Sequence, residues 1–258
     1  MAELTFYKWQ GLGNDFVLVA GGPEGDNGDL VRRLCARRWG VGADGVVYLE
    51  RSPRELKMRI FNSDGSEAAM CGNGLRCAAA QALRWGWIGE GEEVPFTTLA
   101  GPKRATVWGQ GPSFKVQVEM GAAAGVEEVY LPPESPGRRG MAVNLGNPHL
   151  VVEVKEWPQL ASWGPRLEEW GGGANVEFMR PLDRKRVEMK VWEHGVGETL
   201  ACGTGACATW IAARRWGLVE ERVTVQLPGG ELQIGGSEEA LAMEGEARYV
   251  FSGRWPLP

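Results

Sequence analysis

Two apolar-rich stretches, Leu4–Trp9 and Phe16–Ala20, flank the turn-prone Gly11-Leu12-Gly13-Asn14-Asp15, so the chain is predicted to open with two strands. A charged helix is predicted over Asp29–Arg38, and further strands over Val46–Leu49 and Leu56–Phe61. The Ala-rich stretch Cys71–Trp85 reads as a helix stopped by Gly86, a residue suited to a left-handed cap. Thr97–Trp108 and Phe114–Met120 are expected to pair as a hairpin around Gly109-Gln110-Gly111-Pro112, and Gly121–Gly140, rich in Gly, Pro and Ala, to be a linker. The order then recurs as strand Val151–Val154, helix Pro158–Trp170, strand Val187–Trp192 and helix Cys202–Trp216, and Glu246–Trp255 has strand character. Alanines on several sides of both Cys-led helices (Ala78, Ala79, Ala80, Ala82; Ala206, Ala208, Ala212, Ala213) suggest helices enclosed by sheet on most faces.

The recurrence is an internal duplication. Lys57–Asn62 aligns with Glu188–Glu193, Cys71-Gly72-Asn73-Gly74 with Cys202-Gly203-Thr204-Gly205, and Arg84-Trp85-Gly86 with Arg215-Trp216-Gly217, all at an offset of 131 positions. Glu67 and Glu198 share that offset, as do Trp39–Asp44 and Trp170–Asn175, while Leu12-Gly13-Asn14 matches Leu145-Gly146-Asn147 at 133. A repeat this long is not a solenoid period. It predicts two similar domains facing each other across a pseudo-two-fold axis, with the repeated cysteines meeting at the seam.

Composition narrows the class. At 258 residues, 43% hydrophobic and 24% charged, the chain suits two ordinary globular domains. A formal charge of −5 gives no electrostatic footprint for nucleic acid or an anionic membrane, and points to a small-molecule partner. No apolar run approaches a membrane span, and Met1-Ala2-Glu3-Leu4 does not read as a secretion signal. Five cysteines without a dense framework suit a reducing cytoplasm, and the 12 tryptophans are expected in core and domain-interface packing.

In each copy a strand ends, a polar loop follows, and the cysteine stands at the mouth of a helix. Gly72, Gly74, Gly203 and Gly205 lack a Cβ, so the first unpaired helix amides can approach a ligand closely, and with the positive helix end they make a carboxylate or phosphate site. The same field is expected to lower an adjacent thiol pKa toward about 4 to 7 in strong cases, favouring thiolate. Two such ends would hold one carboxylate between two sulfurs. That arrangement fits inversion of a carbon next to a carboxylate, where one base removes a proton from one face while an acid supplies another from the opposite face. Cys35, Cys77 and Cys207 read as inert core thiols. A Cys71–Cys202 disulfide would occupy the anion site, and zinc has weak support, because the cysteine pairs lack Cys-x2-Cys spacing and only His149 and His194 are available.

Together these residues resemble diaminopimelate epimerase along the whole chain. The motifs that carry the resemblance are Gly11–Phe16, Asn62–Glu67 through Cys71–Gly74, Gly146-Asn147-Pro148-His149, Asn175-Val176, and Gly195–Thr199 through Ala201–Gly205. The resemblance implies an α/β chain of α+β type, each domain a mixed or antiparallel sheet or barrel wrapped around a central helix. The first would span 1–121, completed by a returning strand within 246–258, and the second 122–245. It implies a cofactor-independent conversion of LL- to meso-diaminopimelate, serving lysine and peptidoglycan precursor synthesis. Cys71 and Cys202 would be the acid/base pair, His149 and Glu193 would set thiol protonation, and Gly72, Asn73, Gly74, Gly203 and Thr204 would present amides to the reacting carboxylate. Asn14, Asn62, Asn147 and Asn175 would hydrogen-bond substrate. A homodimer and domain closure over substrate follow from the resemblance and the two-lobed layout. His149 matches Phe16 and Glu193 matches Asn62 across the repeat, so the duplication is broken at both.

One departure bears on substrate choice. Where the family reads Glu-Arg-Gly, with the arginine on the far carboxylate of the substrate, this chain reads Glu193-His194-Gly195. Imidazole lacks the bidentate guanidinium fork. Gly45 after Asp44 is a smaller difference. The readings are therefore a diaminopimelate epimerase, a racemase or epimerase of the same fold in which His194 meets another side chain, or, from a different class, a thiol redox or ligand-binding protein.

Overall fold

The computed structural model describes residues 2–22, 25, 27–53 and 55–257; Met1 and Pro258, the outer limits of the expected domains, lie outside them. The chain divides into two compact units, one of 1–118 with 245–258 and one of 119–244.

In the first unit β1 (Glu3–Gly11) and β2 (Asn14–Ala20) form an antiparallel hairpin turned by Leu12 and Gly13, at φ 54° and 83°. Positive φ at both central residues is the type I′ pattern, whose twist matches the strands and which glycine accepts and leucine resists; the buried Leu12 side chain holds it there. Helix α1 (Gly28–Cys35) crosses to β3 (Gly45–Arg51), parallel to β2, and β4 (Leu56–Asn62) returns antiparallel, bearing the short β5 (Glu67–Ala68). After α2 (Gly72–Arg84) come β6 (Glu93–Thr98), parallel to β4, then β7 (Gly101–Trp108) and β8 (Ser113–Gly121), which pair antiparallel in sequence.

The second unit repeats this pairing order. β9 (Gly125–Val129) precedes β10 (Gly137–Asn144), β11 (Pro148–Val154), α3 (Leu160–Trp170), β12 (Asn175–Asp183), β13 (Arg186–Glu193), β14 (Gly197–Thr199), α4 (Gly203–Arg215), β15 (Val223–Leu227) and β16 (Gly230–Gly236). β10–β11 and β12–β13 are antiparallel, β11–β12 and β13–β15 parallel, as are their counterparts in the first unit. The last strand, β17 (Leu241–Pro256), starts in the second unit and ends in the first, pairing with β1 from Gln10↔Arg248 to Glu3↔Pro256. β17 also pairs with β8, which closes the ladder of the first unit into a barrel.

Inside that barrel α2 touches β1, β2, β3, β4 and β7 and is buried from Gly72 to Ala82. α4 lies against β10, β11, β12, β13, β15 and β16 and is buried from Gly205 to Ala213. The many alanines and glycines of both helices let the strands approach this closely, and an added methylene in such a core costs about 1–3 kcal/mol. Apolar residues on the other faces of the strands pack beneath α1 (Val46, Tyr48 with Val31, Leu34) and α3 (Val176, Phe178 with Leu160, Leu167).

Several local expectations are corrected. Thr97–Trp108 is two strands joined at Leu99-Ala100, with Gly101 at φ 90°; neither turn residue is a turn former, so composition carried no signal. Gly121–Gly140 is no linker but holds β9 and the start of β10. Two of its glycines serve close packing: a Cβ at Gly137 would lie 2.2 Å from Val152 Cγ1, and one at Gly140 2.7 Å from Leu131 Cδ2. α1 stops at Cys35, because Ala36 turns extended at ψ 110°. Trp9 and Trp210 are core residues, whereas Trp39 and Trp170 are exposed. No helix among the described residues is long and apolar enough to cross a membrane.

Candidate active site

Both repeated cysteines are N-caps of the central helices, in extended conformation at φ −141°, ψ 121° for Cys71 and φ −126°, ψ 115° for Cys202. Each therefore stands beside the open amides of a first helical turn built from Gly72-Asn73-Gly74 or Gly203-Thr204-Gly205.

In the first unit Cys71 Sγ lies 3.8 Å from Asn14 Oδ1, which also accepts from Asn73 Nδ2 at 3.2 Å. The Asn14 amide is oriented from behind, since its Nδ2 donates to Asp44 Oδ2 at 2.7 Å. Arg37 bridges Asp44 and Asp15 at 2.6 and 2.8 Å, and Lys8 pairs with Asp15 at 2.5 Å. Burial pushes the Asp15 carboxyl up, but hydrogen bonds from Arg37 and Lys8 outweigh it and hold its pKa below the usual range. Asp15 thus stays ionised as the base of the network that aims Asn14. Asn73 Oδ1 is buried without a hydrogen-bond partner among the described residues. Asn62 stands apart at the end of β4, donating to Ser66 Oγ at 3.0 Å.

In the second unit Cys202 Sγ accepts from the Gly205 amide at 3.3 Å and lies 3.5 Å from Thr204 Oγ1. Thr204 Oγ1 accepts from Asn147 Nδ2 at 3.5 Å, and Asn147 Oδ1 is 3.1 Å from His149 Nε2. The other ring nitrogen, Nδ1, sits 2.7 Å from Glu177 Oε1, with both side chains fully buried. Glu193, at the end of β13, accepts from the Thr199 hydroxyl. Asn175 donates to the Pro148 carbonyl at 3.4 Å and accepts from the His194 amide at 2.9 Å. The His194 ring is turned to Glu168, with Nδ1 2.7 Å from Oε1, and is 61% exposed.

The thiol expectation needs correction at Cys202. Burial raises its pKa, the negative Glu193 and Glu177 add to the rise, and the contacts from Thr204 and the Gly205 amide only partly oppose it. A helix end is one dipole; desolvation and two carboxylates outweigh it here, so the protonated thiol is favoured. Burial likewise pushes Cys35 up to about 11 and Cys77 up to about 12, which makes both poor nucleophiles. Among the described residues no group of three or more His, Cys, Asp and Glu side chains is placed to hold a metal.

Glu177 was not foreseen. Its signal in the sequence is an acidic residue inside the apolar stretch Val176–Met179, visible once the two halves are compared strand by strand.

The family model of diaminopimelate epimerase matches residues 6–126 and 141–250. The diaminopimelate epimerase of Moorella thermoacetica is 43% identical, with 98% of this chain and 100% of the relative covered. That of Desulforudis audaxviator is 41% identical, with 98% and 99% covered. Among solved structures, a phenazine biosynthesis protein of the PhzF family from Bacillus anthracis superposes with a TM-score of 0.76 over 100% of both chains at 17% identity, a likeness of fold. With matches across both halves and both cysteine blocks, the chain belongs to the diaminopimelate epimerase family.

Proposed function

We propose that this isomerase converts LL-diaminopimelate to meso-diaminopimelate by two-base proton transfer, with Cys71 and Cys202 as the catalytic acid and base. The observation that carries the reading is the placement of the repeated cysteines, each capping the central helix of its own unit beside glycine-flanked amides. Those amides would bind the reacting carboxylate and take up charge as the α-carbon becomes a carbanion. Cys202, favoured as the thiol, would deliver the proton in the direction in which Cys71 acts as base. Reversal exchanges the roles. Asn14 and Asn73 beside Cys71, and Thr204 beside Cys202 with Asn147 behind it, would orient substrate. Glu193 acts on the Cys202 thiol through its charge. Asn62, Asn175 and His194 would read the rest of the substrate. The same reading carries lysine and peptidoglycan precursor synthesis in the cytoplasm, and a homodimer.

Incubation of LL-diaminopimelate with enzyme in deuterated water tests it. Wild type should form the meso isomer with deuterium at the α-carbon. Cys71→Ala and Cys202→Ala should each slow epimerisation by about 100-fold or more, the lower end of what a positioned acid or base contributes. Isomerisation persisting at the wild-type rate in the double variant would refute the assignment.

A further inference from the structure

The second unit holds a buried carboxylate where its twin holds a valine. In β12, Val176 stands opposite Trp192 and Glu177 opposite Val191; in β3, Val46 stands opposite Phe61 and Val47 opposite Ile60. Since Trp192 and Phe61 are repeat partners, Glu177 corresponds to Val47, just as His149 corresponds to Phe16. The first unit thus sets Ile60 and Phe16 beside Gly74, and the second sets Glu177, paired with the buried His149, beside Gly205. Glu177 Oε2 has no hydrogen-bond partner among the described residues. A buried carboxylate with an open oxygen weakens a fold, so valine would be the better structural choice.

The neighbours define the role. His149 faces a carboxylate oxygen at Nδ1 (2.7 Å) and an amide oxygen at Nε2 (3.1 Å). Both are acceptors, so Nε2 bears one hydrogen and a second proton is held between Nδ1 and Glu177 Oε1. Nε2–H then donates to Asn147 Oδ1, which turns Asn147 Nδ2 toward Thr204 Oγ1, the hydroxyl 3.5 Å from Cys202 Sγ. One run of polar contacts leads from the buried carboxylate to the thiol. We propose that Glu177 is a positioning residue for proton transfer at Cys202: by holding a proton on His149 Nδ1 it fixes the ring, Asn147 and the Thr204 hydroxyl in the single arrangement that serves the thiol. The proposal rests on the epimerase reading of Cys202. In the first unit Phe16 and Val47 fill the corresponding place, and Cys71 is approached instead by Asn14, aimed by Asp44.

Three variants test it: Glu177→Gln, Glu177→Val, and the double variant His149→Phe with Glu177→Val, which copies the apolar pair of the other half. Long-range ¹H–¹⁵N spectra report which ring nitrogens carry protons, and the signal missing from the double variant identifies His149. Wild type should show a proton on Nδ1, and Glu177→Val should leave Nε2 as the sole protonated nitrogen. For diaminopimelate epimerisation, kcat should fall about 10- to 100-fold in Glu177→Gln and Glu177→Val, with KM within about threefold. Retention of the Nδ1 proton, or kcat within twofold of wild type in both single variants, would overturn the proposal. Wild-type enzyme inert toward diaminopimelate would instead sink the epimerase reading, and the ring signals would still decide whether Glu177 holds the proton.

Discussion

Gly74 and Gly205 hold the same place in the two halves, the third residue after the capping cysteine, yet alanine at each has a different expected cost. A Cβ at Gly205 would lie 2.5 Å from Glu177 Oε1 and 3.1 Å from its Cγ and Cδ; at Gly74 the nearest atom is Ile60 Cδ1, at 2.8 Å. The Ile60 methyl is the end of a side chain that can turn away. Glu177 is enclosed, and its Oε1 is committed to His149 at 2.7 Å, so relief means breaking that contact or straining the helix. Overpacking costs about 1–3 kcal/mol, and a buried hydrogen-bonding group stripped of its partner about 1–3 kcal/mol more. Against this stands about 0.5–1 kcal/mol gained by alanine over glycine in a helix. The net for Gly205→Ala is about 2–4 kcal/mol, and for Gly74→Ala within about 1 kcal/mol of zero. At about 2–4 °C per kcal/mol for a chain of this size, Gly205→Ala should lower Tm by about 4–16 °C and Gly74→Ala by less than about 4 °C. Thermal melts followed by circular dichroism at one pH decide it. Equal melting temperatures, or the reverse order, would show that the packing difference between the two halves is not real.

Two more outcomes follow from the charges. Burial raises the Glu177 pKa, with His149 opposing and Glu193 adding, so the native protein binds this proton more tightly than the unfolded chain. Its stabilising contribution is complete below the unfolded carboxyl pKa of about 4.3 and is lost as pH rises through the folded value. The melting temperature of wild type relative to Glu177→Gln should therefore fall between pH 4 and pH 7, and a flat or rising difference would contradict the assignment. At the rim, His194→Arg would restore the guanidinium that the family resemblance places on the far carboxylate. A charge-assisted contact of about 1.5 kcal/mol lowers KM for diaminopimelate about tenfold, with Glu168, now 2.7 Å from the His194 ring, competing for the new cation. Steady-state kinetics showing an unchanged KM would rule out that site.

The parts of the molecule legible in the sequence are those set by local chemistry. Cysteine followed by Gly-x-Gly fixes a helix start, Gly86 and Gly217 at φ 69° end both central helices, and alanine on several sides marks an enclosed helix. What depends on partners distant in the chain was hidden. Matching Asp44 with Asn175 by sequence sets the strands one residue out of register; the ladders align Val46 with Val176, and only then does Glu177 fall against the inner-facing Val47. The Leu99-Ala100 turn follows from the pairing of β6 with β7, and the glycines of β10 from close approach to Leu131 and Val152. The rise in the Cys202 pKa depends on burial and on Glu193 and Glu177, which lie on two other strands.

Duplication alone would make two equivalent thiols, and two equivalent thiols are poorly suited to start a proton transfer that needs one acid and one base. The backbone keeps the symmetry: the pairing order, the central helices and the capping cysteines recur. The side chains beneath the helix starts break it. Beside Cys71 stands a neutral amide oxygen, that of Asn14, braced by an ion-pair network of Lys8, Asp15, Arg37 and Asp44. Around Cys202 stand two carboxylates that favour the protonated thiol, one of them bound to a buried histidine. Under the two-base reading this difference keeps the proton on the Cys202 sulfur. The residues that distinguish the halves, His149, Glu177 and Glu193 against Phe16, Val47 and Asn62, are therefore where substitution should alter the chemistry without altering the fold.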